Sequence, residues 1–405
     1  MTLRVLVAPS GFKESLGAEE VADCIEAGVL RVLPEAEVLK APMVDGGEGF
    51  TKTLVNVTGG TLHELAVTGP IGEPVESHFG FLGGEGPRTA VLEMAAAAGL
   101  RLVPREIRDP SGTTTYGVGE LIRAALDAGA ERILGGCGDS GTTDGGAGMA
   151  QALGARLLDK AGRELDRGGL ELARLASIDL SGRDPRLEGV RVDVACNWHN
   201  LLCGTRGVAR VFGPQKGASP EAVERLAGAL DNYAVVIEGE LGIDVREMPG
   251  GGASGGLGTG LHALLGATLH PRYDIVSRYL EIEGLLEKAD LVFTAEGGID
   301  FQTPRGKIPA EIARRAKRYG LPVIAIVGTV GKDAQINHEY GIDAYISILQ
   351  APTTLDEAIE HAPELVTVCT EDVMRLVLLG RGMKPEPVLG GDEAHRWEER
   401  SVSPG

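Results

Sequence analysis

Several stretches of the sequence set carboxylates, hydroxyls or cations beside glycine. Asp45-Gly46-Gly47-Glu48-Gly49 follows the apolar strand end Ala41–Val44. Two carboxylates separated by two glycines at a strand-to-helix turn can hold Mg²⁺ or orient a hydroxyl. The longest such stretch, Gly135 to Met149, carries Asp139, Ser140, Thr142, Thr143 and Asp144 among its glycines, after the strand Arg132–Leu134. That mixture suits a phosphate-and-magnesium loop, with Asp139 and Asp144 as the candidate Mg²⁺ ligands. Ala8-Pro9-Ser10-Gly11-Phe12-Lys13 lies between a strand and a helix, where a lysine would join backbone N–H groups in facing an anion. An ordinary capped turn with a solvated lysine is the plainer account of that loop.

Three further stretches belong to the same class. Phe212-Gly213-Pro214-Gln215-Lys216-Gly217 offers an amide and a cation. Pro249 to Gly260 leads into a helix and holds Ser254 and Gly255 among its glycines, whose N–H groups could cradle phosphate; close helix packing is the rival account. Thr294 to Lys307, at another strand end, offers Glu296, Asp300, Gln302, Thr303, Arg305 and Lys307. Thr113-Thr114-Thr115 precedes a helix and either faces the same site or simply caps that helix.

Other chemistries fit less well. Gly136, Gly138 and Gly141 match the dinucleotide spacing, with Asp159 about 20 residues on. Asp139 inside that turn opposes the reading, because a negative charge beside a pyrophosphate is costly without a metal between them. Cys196 and Cys203 have a spacing that fits no common zinc pattern and read as buried cysteines. The sequence contains neither a Walker A loop nor a Gly-x-Ser-x-Gly nucleophile elbow.

The elements that must position these residues alternate. Residues 3–8 read as a strand, and Val21, Ile25, Val29 and Val32 then recur at helical spacing. Strands follow at 289–294, 322–327 and 343–348, with a glycine-rich loop at 295–307 and helices at 310–318 and near 355–379. Such alternation predicts a parallel α/β sheet whose strand C-termini form the ligand edge. Residues 61–94 instead show short alternating strands around Gly69–Gly72 and Gly83-Gly84, which suits antiparallel hairpins and marks an internal boundary. The charged, proline-broken stretch 381–405 reads as a mobile tail.

Composition bounds the function. At 405 residues the chain has room for two domains. Lys and Arg number 39 against 58 Asp and Glu, a net charge of −19, so nucleic acid and anionic membranes are poor partners. A small anionic substrate stays compatible, since a few cations in a cleft can outweigh the global field. Glycine, at 60 residues, is about double its usual share. The five scattered cysteines do not suit a disulfide framework, and no run spans a membrane or reads as a signal peptide, so a cytoplasmic protein is expected. Oligomerisation of identical chains stays open.

In order and combination, the loops from Ala8 to about Lys317 resemble the type I glycerate kinase family, with weaker similarity to about Leu379. The resemblance implies a Rossmann-like α/β domain made from both chain ends, residues 1–60 and 288–380. It also implies a second α/β domain, 61–287, inserted between them. It further implies transfer of the ATP γ-phosphoryl group to D-glycerate, commonly at the 2-hydroxyl, with Mg²⁺. The chain departs from the family pattern at Asn197 and Leu201, where a carboxylate and a proline are usual, and at Gly298, where many members have arginine.

The leading expectation is therefore an ATP-dependent D-glycerate kinase. Lys13, Asp45 and Asp139 are the expected catalytic residues. Substrate and phosphate are expected to meet Ser10, Gly46, Gly47, Glu48, Ser140, Thr142, Thr143, Asn200, Gln215, Lys216, Ser254, Gly255, Glu296, Asp300, Gln302, Thr303 and Lys307. The alternatives are a kinase of another small hydroxy acid, a metabolite sensor without turnover, and an NAD-dependent oxidoreductase.

Overall fold

The computed structural model describes residues 2–12 and 15–382. Lys13 lies outside the described residues, as does the expected tail apart from Arg381 and Gly382. The chain divides into two compact units, one made of residues 1–43 and 281–405 and the other of residues 44–280.

In the terminal unit five strands form one parallel sheet: β1 (Arg4–Val7), β2 (Glu37–Lys40), β11 (Leu291–Ile299), β12 (Val323–Val330) and β13 (Ala344–Ser347). Their order is β13-β12-β11-β1-β2, so the N-terminal strand sits between its neighbour in sequence and a strand from the far end of the chain. Alternation along β1 explains its burial on both sides. Val5 and Val7 join Phe293, Ile25, Val29, Val366 and Met374 in one core, beneath the helices Ala18–Val32 and Ala362–Gly380. Leu6, also wholly buried, points to the opposite face, and the helix Ile308–Arg318 packs on the sheet at β11. β11 runs through residues expected in a loop: Glu296 pairs with Val327 and Ile299 with Val330, so Glu296 is carried on a strand. The paired edge of β12 supplies the partners that extend it.

The inserted unit holds a mixed six-stranded sheet of β3 (Thr61–Thr68), β4 (Pro74–Phe81), β5 (Thr89–Glu93), β6 (Arg132–Gly136), β9 (Arg191–Cys196) and β10 (Thr268–Pro271). The order is β10-β9-β6-β5-β4-β3; β3, β4 and β5 pair antiparallel, while β5, β6, β9 and β10 run parallel. A separate hairpin joins β7 (Arg156–Asp159) and β8 (Leu175–Asp179). Leu92, Ile133, Val192 and Val194 share a core with residues of the helices Tyr116–Asp127, Pro220–Leu241 and Ala253–Leu265. The first junction falls at Met43–Val44, earlier than the change of pattern at residue 61. The reason is the helix Phe50–Thr58, which packs on β3, β4 and β5 and so carries the Asp45–Gly49 turn into the inserted unit.

Among the described residues no helix is long and apolar enough to cross a membrane.

Candidate active site

Parallel strands end together, and in the inserted sheet the register brings Glu93 beside Gly136, Gly136 beside Ala195, and Cys196 beside Pro271. The loops that follow these strands share one edge of the sheet. Onto it the chain also brings the turn Asp45–Gly49, whose geometry depends on Glu93. That carboxylate, buried at the end of β5, accepts from Gly49 N at 3.1 Å and Thr51 N at 2.7 Å, satisfying the otherwise unpaired N–H groups of the helix Phe50–Thr58. Burial pushes the Glu93 carboxyl up from its ordinary range, and the two N–H donors pull it back.

The turn then meets Asp139. Glu48 N donates to Asp139 Oδ2 at 3.0 Å, and Glu48 itself pairs with Arg101 at 3.0 Å. Asp139 holds a left-handed backbone, φ 48°, unusual outside glycine but tolerated by aspartate. A Cβ on Gly47 would overlap Asp139 Oδ2 and lie 3.3 Å from Asp45 Oδ1. Asp45 and Asp139 therefore flank the single point that a side chain at position 47 would fill. Asp45 also accepts from Arg272, the first residue of the helix Arg272–Tyr279, at 3.1 Å. Asp45, Glu48 and Asp139 are all exposed.

Beyond Asp139 the loop turns inward. Thr142, Thr143 and Asp144 are buried. Asp144 accepts from Thr115 N at 2.7 Å, Thr115 Oγ1 at 2.8 Å, Gly146 N at 3.1 Å and Gly148 N at 3.2 Å. Burial raises its pKa, opposed by those same bonds. Thr115 thus serves Asp144 with its hydroxyl rather than capping the helix it precedes. Lys216 lies under the same loop, 3% exposed, donating to Ser140 Oγ at 2.8 Å and Thr142 O at 2.6 Å. Burial pushes the ammonium down to about 7, with nearby Asp144 opposing. Gln215, next to it, is exposed.

Ser254, Gly255 and Gly256 are three consecutive left-handed residues, and a Cβ at Gly255 would overlap the Thr142 carbonyl. Here the missing side chains let the 250–260 stretch pack backbone against backbone on the 142–146 loop, and Gly145 N donates to Gly255 O at 3.0 Å. Asn200 joins through its carbonyl, which accepts from Gly252 N at 3.0 Å.

The terminal unit presents its own group. Ser10 N donates to Ala295 O at 2.8 Å, which sets the loop after β1 beside β11. Lys307 reaches back to Glu296 at 3.4 Å and donates to Gly298 O at 3.1 Å. Asp300 organises the intervening turn, accepting from Gln302 N at 2.8 Å, while its own N–H donates to Thr303 Oγ1 at 3.1 Å.

The donor sets separate the two expected magnesium ligands. Mg²⁺ is usually held by one or two carboxylates with water and phosphate completing the shell. Asp139 and Asp45, exposed and converging on the gap at Gly47, fit that chemistry. Asp144 does not, because four protein donors already occupy its two oxygens. Among the described residues no group of three or more His, Cys, Asp or Glu side chains is placed to hold a metal. The Cys196 thiol is pushed up to about 12 by burial and donates to His270 O, as expected of an inert buried cysteine. The dinucleotide reading loses its acid: Asp159 stands in the β7–β8 hairpin, held by Arg163 and Arg174.

Glu93, Arg101 and Arg272 were not among the expected site residues. Glu93 carried a signal, an acid ending the apolar strand run Thr89–Leu92. Arg272 carried none, since its partner lies 227 residues away.

The glycerate kinase family model matches residues 5–378. A Bacillus subtilis protein named glycerate kinase is 48% identical over 94% of this chain and 99% of its own length. An Escherichia coli protein named glycerate 2-kinase is 45% identical over 93% and 99%. The crystal structure of a candidate glycerate kinase 2 from Salmonella typhimurium LT2 superposes with a TM-score of 0.83 at 46% identity, covering 95% of this chain and all of that one.

Proposed function

We propose, from the premise that this chain belongs to the glycerate kinase family, how its own residues serve the phosphorylation of glycerate. The enzyme is a kinase that takes glycerate and a nucleotide, ATP. We assign the acceptor as D-glycerate and the product as 2-phosphoglycerate; the name of the Escherichia coli relative, glycerate 2-kinase, supports the position of transfer. The five free cysteines support a reducing, cytoplasmic setting.

Phosphoryl transfer demands alignment and charge neutralisation more than covalent help from the protein. The observation that carries the mechanism is the pair Asp45 and Asp139 flanking the gap at Gly47. These two carboxylates would hold Mg²⁺, which when bound neutralises charge on the phosphate oxygens. Glu93 keeps the Asp45–Gly49 turn in place through the helix N-terminus. Lys216 and Asp144 fix the loop that carries Asp139 and Ser140 from beneath. Within the terminal unit we assign Ser10, Glu296, Asp300, Gln302, Thr303 and Lys307 as candidate substrate or phosphate ligands, and Lys13 as a phosphate clamp. In the reaction the acceptor hydroxyl oxygen bonds to the γ-phosphorus, the bond to the bridging β,γ-oxygen breaks, and the hydroxyl proton leaves to a carboxylate or water.

ADP release from Mg-ATP, measured with D-glycerate, L-glycerate and glycerol, tests this, with ³¹P NMR of the product. Turnover restricted to D-glycerate and a 2-phosphate resonance are expected. A 3-phosphate product would overturn the position, and absence of turnover with every acceptor would overturn the function.

A further inference from the structure

We propose that Trp198 is the platform on which the nucleobase of ATP stacks. The assignment rests on the kinase reading above and deepens it, by giving the aromatic end of the nucleotide a partner.

Trp198 follows the last residue of β9, Cys196, by two positions, at the sheet edge where Gly136 pairs with Ala195 and Cys196 with Pro271. A Cβ on Gly46 would lie 3.0 Å from Ala195 O and 3.1 Å from Cys137 N, so the turn that carries Asp45 is pressed against the end of the same strand. Three residues span at most about 11 Å, which sets the reach from Ala195 to the root of the Trp198 side chain. A nucleotide whose phosphates lie at Asp45 and Asp139 therefore meets an indole on the edge along which its base extends.

The turn that bears the indole is fixed. Asn197 Oδ1 accepts from His199 N at 3.1 Å, Asn197 O from Asn200 N at 3.2 Å, and Trp198 O from Gly250 N at 3.1 Å. A Cβ on Gly250 would sit 2.6 Å from Cys196 Sγ and 3.7 Å from Trp198 Cε3, so the ring is backed by a glycine. Trp198 nonetheless stays 38% exposed. Indole carries a large apolar surface, and leaving it in water forgoes the stabilisation that covering it would supply. Of the two substrates only the nucleotide has a flat aromatic part to cover it with; glycerate is a three-carbon hydroxy acid with no face to stack. Phe301, Tyr319 and Tyr340 are the other exposed Phe, Trp or Tyr side chains among the described residues. Tyr319 and Tyr340 stand at the ends of helical segments, and Tyr319 donates to Glu283 at 3.0 Å. Phe301 follows β11, and the Arg305 guanidinium lies 5.8 Å from the centre of its ring.

The rival role is a packing residue over Cys196 and Gly250, which would matter to stability and not to nucleotide affinity. Isothermal titration calorimetry with Mg-ATP compares wild type, Trp198→Ala, Trp198→Tyr and Phe301→Ala. Magnesium tripolyphosphate, which has the phosphates and no base, is the second ligand. Trp198→Ala is expected to bind Mg-ATP about 10- to 100-fold more weakly and tripolyphosphate as wild type does. Trp198→Tyr, which keeps an aromatic face, is expected within about 5-fold of wild type, and it decides the matter if Trp198→Ala does not fold. The chain has two tryptophans, Trp198 and Trp397, so in Trp397→Phe the emission reports Trp198 alone. Mg-ATP should quench that emission and tripolyphosphate should not. Wild-type affinity for Mg-ATP in a folded Trp198→Ala overturns the proposal, as does an equal loss of affinity for ATP and tripolyphosphate, or a loss confined to Phe301→Ala. A wild-type protein that binds Mg-ATP yet turns over no hydroxy acid instead overturns the kinase reading, while the affinity comparison still decides the role of Trp198.

Discussion

Two aspartates five residues apart in one loop hold opposite positions, and the difference is measurable. Asp139 is exposed at the gap by Gly47, while Asp144 is buried and accepts from four donors. Asp139→Asn suits the left-handed backbone, so stability should change by no more than about 0.5 kcal/mol, while kcat should fall by about 100-fold or more. Asp144→Asn turns an NH₂ toward backbone donors and should cost about 3 kcal/mol of stability. Parallel urea melts and turnover assays check both, and a stability loss at Asp139 matching that at Asp144 would contradict the division. Lys216 adds a pH signature. Its folded pKa, about 7, lies below the ordinary 10.5. Between those values the unfolded chain holds a proton that the folded one lacks, so Lys216 makes stability rise with pH across that window and contributes no slope below it. In Lys216→Met this contribution vanishes. Urea melts from pH 7 to 10 should show wild type gaining on the variant as pH rises; a constant difference would mean that Lys216 stays charged.

At the scale of elements, the site is a turn and a loop pressed together where neither has a side chain to spare. Gly47→Ala would force Asp139 and Asp45 apart, because the new Cβ overlaps Asp139 Oδ2. Displacement of about 1 Å at a reacting group can cost 100-fold in rate, so the variant should lose turnover to that degree while its far-ultraviolet circular dichroism stays that of wild type. Wild-type kcat in Gly47→Ala would show that the two carboxylates do not act together. This arrangement was partly legible beforehand. Asp45, Gly47 and Asp139 stood out because an acid beside glycine after an apolar run is a local signal, and the parallel strands of the terminal unit followed from periodicity. For the glycines of 250–260 local pattern favoured a phosphate cradle, with close packing accounting for Gly256 and Gly260 alone, and the backbone approach to Thr142 and Gly145 displays packing at Gly255 as well. The extension of β11 through Glu296 came from pairing with β12, a long-range effect that no local pattern encodes. Glu93 and Arg272 join the site through register and topology, so spacing along the chain could not reveal their partners.

For the whole molecule, the connectivity sets an order of folding. β1 can pair locally with β2, but it takes its central place in the sheet only when β11 arrives: Arg4 N bonds Asp290 across 286 residues. The inserted sheet closes over shorter spans, such as 61 residues from Arg132 to Asp193 and 77 from Asp193 to His270. Taken as bare loops, 286 against 77 residues differ by only about 1 kcal/mol of closure entropy. The insertion changes that comparison, because its own entry and exit are tied where Asp45 meets Arg272. Once it folds, most of the chain between β2 and β11 is no longer free loop, and the remaining closure is short. The inserted unit should therefore fold first and act as the template that makes the terminal sheet accessible. Pulsed hydrogen exchange during refolding tests this: amides of Leu134 and Val194 should gain protection before those of Val5, Val7 and Phe293. Arg272→Gln, by loosening the tie, should delay the terminal sheet without delaying the inserted one. Simultaneous protection of both sheets in the wild-type chain would mean that the terminal strands meet without help from the insertion.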